Sequence, residues 1–166
     1  MELNPAIPLD AIDSEVLLRL SVAAVVGLLL GLDREWHGHP AGLRTHGLVC
    51  VAAATMTTSI IGLYLQLHGD RMDPLRIFEA TGAFVGFIGA GLIVFSRGRL
   101  HNLTTAAHIW LTAIIGIACG AGQWPLVVIG LVVSLVMVTM LHFAEARWIR
   151  AHHPCDDKAE KEDPKR

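Results

Sequence analysis

The sequence predicts an all-α membrane protein: a bundle of about five transmembrane helices, with its N-terminus outside and its C-terminus in the cytoplasm. Three observations carry this prediction. Of the 166 residues, 53% are hydrophobic and only 17% are charged, with a mean hydropathy of +0.52; a soluble domain carries about 25% charge. The charges gather at the two ends and in three short connections, leaving stretches between them that are almost purely apolar. Five of those stretches approach the ~20 residues that a helix needs to cross a hydrocarbon core of roughly 30 Å.

The first span covers about 16–32, where Arg19 interrupts only the first turn and is expected to snorkel outward. It does not read as a signal peptide. Glu2, Asp10, Asp13 and Glu15 lead into it, the opposite of a basic n-region, and Asp33-Arg34-Glu35-Trp36 follows in place of a small-residue cleavage site. The second span covers about 43–65. The third, about 77–95, carries Gly82, Gly86 and Ala90 at four-residue spacing, with Gly89 and Gly91 beside them. In lipid, small residues mark where helix backbones approach, so this stripe reads as a packing or dimer seam. It makes the third span the expected centre of the bundle and Gly86→Leu an expected block to folding or assembly. Gly27 and Gly31 in the first span, and Gly116 and Gly120 in the fourth (about 103–121), form similar pairs. The fifth, about 124–143, is Val, Ile, Leu and Met broken only by Ser134 and Thr139.

This division makes 1–15 an extracytoplasmic segment and 16–143 the transmembrane domain. Residues 144–166 become a short charged cytoplasmic tail, too polar to bury surface and largely disordered. Orientation follows from basic residues near the membrane. Arg34, Arg44, Arg97, Arg99, Arg147 and Arg150 fall on one side, against Arg19, Arg71 and Arg76 on the other, six to three.

Several function classes are disfavoured. A net charge of -2 gives no footprint for nucleic acid. Cys50 and Cys119 lie inside apolar runs and Cys155 in the tail, which is packing rather than a disulfide framework. His152-His153-Pro154-Cys155 is half a metal site without its other ligands, so neither metal nor cofactor is expected. No nucleophile–base pair, HExxH or phosphate loop appears, and the chain reads as non-enzymatic.

The polar residues that remain fall at one membrane face. Asp33, Arg34 and Glu35 end the first span; Arg44, Thr45 and His46 open the second; Asn102, Thr104 and Thr105 open the fourth, with His108 about one turn deeper. Asp33 or Glu35 is expected to pair with Arg34 or Arg44. Asn102 and the threonines stand where they could cap a helix. His108 could hydrogen-bond between helices or relay a proton. The opposite face offers mainly Glu79, and the midplane only hydroxyls such as Thr55, Thr57, Thr58 and Thr112, which usually bond to their own helix. No carboxylate stands at the midplane, which disfavours ion transport.

Four motifs resemble the MgtC/SapB family of bacterial inner-membrane proteins. They are Gly31-Leu32-Asp33-Arg34-Glu35, Ala41-Gly42-Leu43-Arg44-Thr45-His46, Gly86-Phe87-Ile88-Gly89-Ala90-Gly91-Leu92-Ile93 and Leu103-Thr104-Thr105-Ala106-Ala107-His108-Ile109-Trp110, in order across about 16–143. The resemblance implies a bacterial plasma-membrane protein of about five spans, linked to growth in low magnesium and to intracellular survival and virulence. For MgtC itself it implies binding to the membrane-embedded F-type ATP synthase, with restraint of its activity. Asp33 stands where the family often has Glu, and a folded cytoplasmic C-terminal domain of MgtC is not expected here.

Three readings follow. One is a regulator that binds another membrane protein, with the bilayer and a second copy in a homodimer as the other expected partners; one is a transporter or channel for Mg²⁺, protons or another small ion. The third is a sensor that takes a small cytoplasmic ligand in the polar cluster.

Overall fold

The computed structural model describes the backbone of residues 14–66, 73, 75–96 and 99–152, and the side chains of 14–65, 73, 75–93 and 101–140. Five helices follow in order: α1 (Ser14–Trp36), α2 (Leu43–Gln66), α3 (Arg76–Leu92), α4 (Leu103–Gly120) and α5 (Trp124–His152). Between α3 and α4, β1 (Val94–Ser96) and β2 (Arg99–His101) pair antiparallel, Val94 opposite His101. The all-α class is as expected. The third span ends earlier than its apolar run, because Val94 and Phe95 turn into the hairpin. α5 continues past 143 to His152, while residues 1–13 and the tail from 153 lie outside the described residues.

α1, α2 and α4 are long and apolar enough to cross a membrane. Large side chains on their outer faces, among them Leu17, Val25, Leu48, Leu103 and Trp110, are exposed, as are Phe84 and Phe87 on α3. Small residues fill the inside: Ala23, Ala53, Ala54, Ala113 and Ala118 are all buried. Bulky apolar groups outward and small ones inward suit helices packed in lipid, where close backbone approach replaces hydrophobic burial as the force between them.

Residues 1–131 form one compact unit and 132–166 a second, described only as the continuation of α5. In the first unit α4 is central: 61% of its span is buried, against 28% for α1 and 22% for α2. It packs against α1, α2 and α3.

The expectation that the third span is central is therefore corrected. α3 meets its neighbours through Ile77, Thr81, Val85 and Gly89, a stripe of four-residue steps. Gly86 and Ala90 sit one residue on, about 100° around the helix, and are exposed. A Cβ at Gly86 or Gly91 would meet nothing within 4 Å; at Gly89 it would only touch Ala106 at 3.5 Å. Gly82 alone of that stripe lies tight, 3.1 Å from the Trp110 ring. The closest approaches are elsewhere. A Cβ at Gly27 would lie 2.7 Å from that of Cys50, and one at Gly31 2.7 Å from the Leu43 Cα. At Gly116 it would meet the Cys50 carbonyl at 2.5 Å, and at Gly120 it would collide with the Ala54 carbonyl.

The chain reverses twice through left-handed glycines. After α1, Gly38 has φ +68°, and the His39 N–H reaches back to the Arg34 carbonyl. After α4, Gly122 has φ +70°, and the Gln123 N–H reaches back to the Ala118 carbonyl. Both are Schellman closures, which need a residue free to adopt that conformation. Along the spans Thr55, Thr57, Thr58 and Thr112 donate to the carbonyls four residues earlier, as expected.

Candidate functional site

The end of α1, the start of α2 and the start of α4 meet at one end of the bundle. Arg34, in the last turn of α1, is 5% exposed, and its Nη2 donates to Thr105 Oγ1 at 2.8 Å. This bond joins residues 71 positions apart. Glu35 lies on the next face of α1. Its Oε2 accepts from the Leu43 N–H at 3.0 Å, so its carboxylate covers Gly42 and meets the positive end of α2. Asp33 stands 3.6 Å from Nδ1 of His37, one turn further along the helix, and its other oxygen, Oδ2, is buried with no hydrogen-bond partner.

The expected ion pairs of Asp33 or Glu35 with Arg34 or Arg44 do not form among the described residues. Consecutive residues on a helix diverge by about 100°, so Asp33, Arg34 and Glu35 reach different partners. Arg44 points to the surface.

Deeper in the cluster, His46 of α2 and His108 of α4 are buried at 0% and 7% exposure. Nε2 of His46 lies 2.9 Å from Nδ1 of His108, and Nδ1 of His46 lies 2.9 Å from the Gly42 carbonyl. The sequence named the two histidines separately; their meeting needs the α2–α4 packing that Gly116 and Gly120 permit. Asn102 does not cap α4. Its amide donates to the Leu92 carbonyl at 3.1 Å, tying the end of α3 to the start of α4 across the hairpin. Arg44, Thr45 and Thr104 share this end by position, and among the described residues no hydrogen bond or ion pair joins them to the rest of the cluster.

Two contacts lie outside the expected cluster. Arg19 reaches toward the start of α1, where it pairs with Glu15, and its Nη1 donates to the Gly120 carbonyl at 2.9 Å, closing the C-terminal end of α4. Cys50 of α2 and Cys119 of α4 are both fully buried, and each thiol acts electrostatically on the other. Neither is visible in local spacing, since each joins helices far apart in the chain. Among the described residues no group of three His, Cys, Asp or Glu could hold a metal ion. The polar end offers mostly donors: a guanidinium, imidazoles and the free N–H groups of α4's first turn.

The sequence profile of the MgtC family matches residues 20–147, from within α1 into α5 and across the whole cluster. The chain belongs to the MgtC family. YhiD of Escherichia coli (strain K12), whose given name proposes magnesium transport, is similar at 39% identity over 132 residues, 78% of this chain and 61% of that protein. Protein SapB of Bacillus subtilis is 36% identical over 136 residues, 78% of this chain and 58% of SapB. Protein MgtC of Salmonella typhimurium is 33% identical over 131 residues, 79% of this chain and 54% of MgtC. The chain thus spans little more than half the length of these relatives. No solved structure matches it. Family membership and the apolar helices together make this a membrane protein.

Proposed function

We propose that this MgtC-family protein is a non-enzymatic regulator of the bacterial plasma membrane. It crosses the bilayer several times and binds another membrane protein through its helices and its polar end. The observation that supports this reading most is where charge is found. Arg34, Asp33 and the two histidines gather at one end, and Arg19 closes the other. Between Asp33 and Arg19, and from Gly47 to Leu65 and Ile109 to Gly120, no side chain is charged, and the polar groups are hydroxyls, thiols and the Trp110 indole. An ion carrier needs charged or coordinating groups near the bilayer centre; a protein that recognises a partner at the membrane face does not.

The polar end is proposed to face the cytoplasm, on the arginine asymmetry. The resemblance to MgtC supports a role in low-magnesium adaptation and intracellular survival, and makes the F-type ATP synthase the proposed partner. Copurification from membranes tests this: ATP synthase subunits should follow the wild-type chain and be lost with Asp33→Ala or Arg44→Ala.

The name given to YhiD supports a second reading, transport of Mg²⁺. The two separate in liposomes. Purified protein should show no Mg²⁺ or H⁺ flux above empty vesicles; flux abolished by Asp33→Ala or Arg44→Ala would overturn the regulator.

A further inference from the structure

Arg34 is a permanent cation at 5% exposure. The ion pairs formed among the described residues are Arg19–Glu15, His37–Asp33 and Arg76–Glu79, and none includes it. Nη2 is bound to Thr105 Oγ1, and Nε is buried with no hydrogen-bond partner. A guanidinium carries five N–H donors and no acceptor, so one hydroxyl leaves most of that capacity unmet. Desolvating an ion is costly unless a counter-charge and hydrogen bonds replace its water. Asp33 acts on Arg34 through space only, with Oδ1 turned to His37.

The surroundings add to the positive potential. Thr105 lies on the first turn of α4, an 18-residue helix. The N–H groups of Leu103, Thr104 and Thr105 have no acceptor within the helix. The residue placed to cap them, Asn102, makes no side-chain cap bond; its Nδ2 donates to the Leu92 carbonyl instead. The Thr104 hydroxyl stands exposed beside them. Arg34, His39 and His46 all act electrostatically on His108, so the cations and imidazoles surround one corner.

We infer that the Arg34–Thr105 corner, at the start of α4, binds a phosphate group. Free helix N–H groups beside a guanidinium match the charge and the several acceptors of a phosphate. The group comes from one of two sources with the same chemistry, free inorganic phosphate or the headgroup of an anionic lipid. The site belongs to the same polar end as the proposed partner surface. It is measured on the purified protein with no partner present, so its failure is distinguishable from failure of the regulator reading.

The test is thermal unfolding of the full chain in neutral detergent. One arm titrates inorganic phosphate against sodium chloride of equal ionic strength. The other adds phosphatidylglycerol, with diacylglycerol as its control. At least one should raise the unfolding temperature saturably. A gain from phosphate identifies the free anion, and a gain from phosphatidylglycerol alone identifies the headgroup. Arg34→Gln should abolish the gain, and without ligand should be at least as stable as wild type, since an unmet buried charge has been removed. If Arg34→Gln does not fold, Arg34→Lys keeps the charge but loses the planar fork, and should bind at least tenfold more weakly. No saturable gain in either arm, a gain unchanged in Arg34→Gln, or wild-type affinity in Arg34→Lys would overturn the site.

Discussion

The hydrogen bond between His46 and His108 has a fixed direction. The Gly42 carbonyl, 2.9 Å from Nδ1 of His46, can only accept, so that nitrogen carries a proton. In a neutral ring Nε2 is then the acceptor, and Nδ1 of His108, 2.9 Å away, is the donor. The chain of bonds runs from α4 through α2 to the loop before α2, inside the protein rather than at its surface. His46→Ala and His108→Ala each leave a buried polar nitrogen unmatched, which costs about 1–3 kcal/mol. The two changes should not add. Interhelical polar pairs in membranes couple by about 0.6–1.7 kcal/mol, so the double variant should lose less than the sum of the singles. Thermal unfolding of the four proteins in detergent measures this, and strict additivity would refute the pair.

The glycines separate into two classes with opposite expectations. Gly116→Leu and Gly27→Leu drive a side chain into backbone and Cβ atoms of α2 at 2.5–3.0 Å. Overpacking of that kind costs about 1–3 kcal/mol or more, and both variants should accumulate poorly in membranes. Gly86→Leu meets open space and should fold as wild type. Membrane yield and melting temperature in detergent give the ranking. A Gly86→Leu chain that fails while Gly116→Leu succeeds would reverse the helix order described above.

The contrast shows which parts of this fold are legible in sequence. The back-bonding of Thr55, Thr57, Thr58 and Thr112 was foreseeable, because donor and acceptor are four residues apart on one helix and no tertiary fact enters. The small-residue rows at Gly27/Gly31, Gly82/Gly86 and Gly116/Gly120 have the same spacing, yet only the first and third face a backbone along their length. Which face of a helix meets its neighbour is a tertiary fact, and on α3 the stripe shifted by one residue. The motifs at 33–35, 42–46 and 102–108 could be assigned to one end by counting spans. Their partners could not, because adjacent residues on a helix diverge, and Arg34 finds Thr105 while Glu35 finds the Leu43 N–H.

Asn102 holds φ 65° and ψ 17°, the left-handed region, while its amide bonds to Leu92. The two roles can be measured apart. Asn102→Gly keeps the backbone comfortable and loses only the side-chain bond, about 1 kcal/mol. Asn102→Val loses the bond and adds roughly 1–2 kcal/mol of left-handed strain. Melting temperatures should fall in the order wild type, Asn102→Gly, Asn102→Val. Equal values for the two variants would show that the conformation at this position carries no strain.

The thiols of Cys50 and Cys119 lie near enough across α2 and α4 to act on one another, both at 0% exposure, at the crossing that Gly116 and Gly27 make close. In a Cys155→Ser background, water-soluble alkylating reagents should leave both unmodified until the protein is unfolded. A membrane-permeant oxidant should join them within one chain. The product then shows a mass lower by two hydrogens, loses its thiol titre and stays monomeric on a denaturing gel. Disulfide formation demands that two Cα atoms stand within about 7 Å, so the reaction reports directly on the distance between the two helices. Alkylation of the folded protein would mean that water reaches the crossing, and a crosslinked dimer would mean that each thiol faces another copy. Either result would remove the α2–α4 contact on which the His46–His108 pair and the Arg34–Thr105 corner both depend.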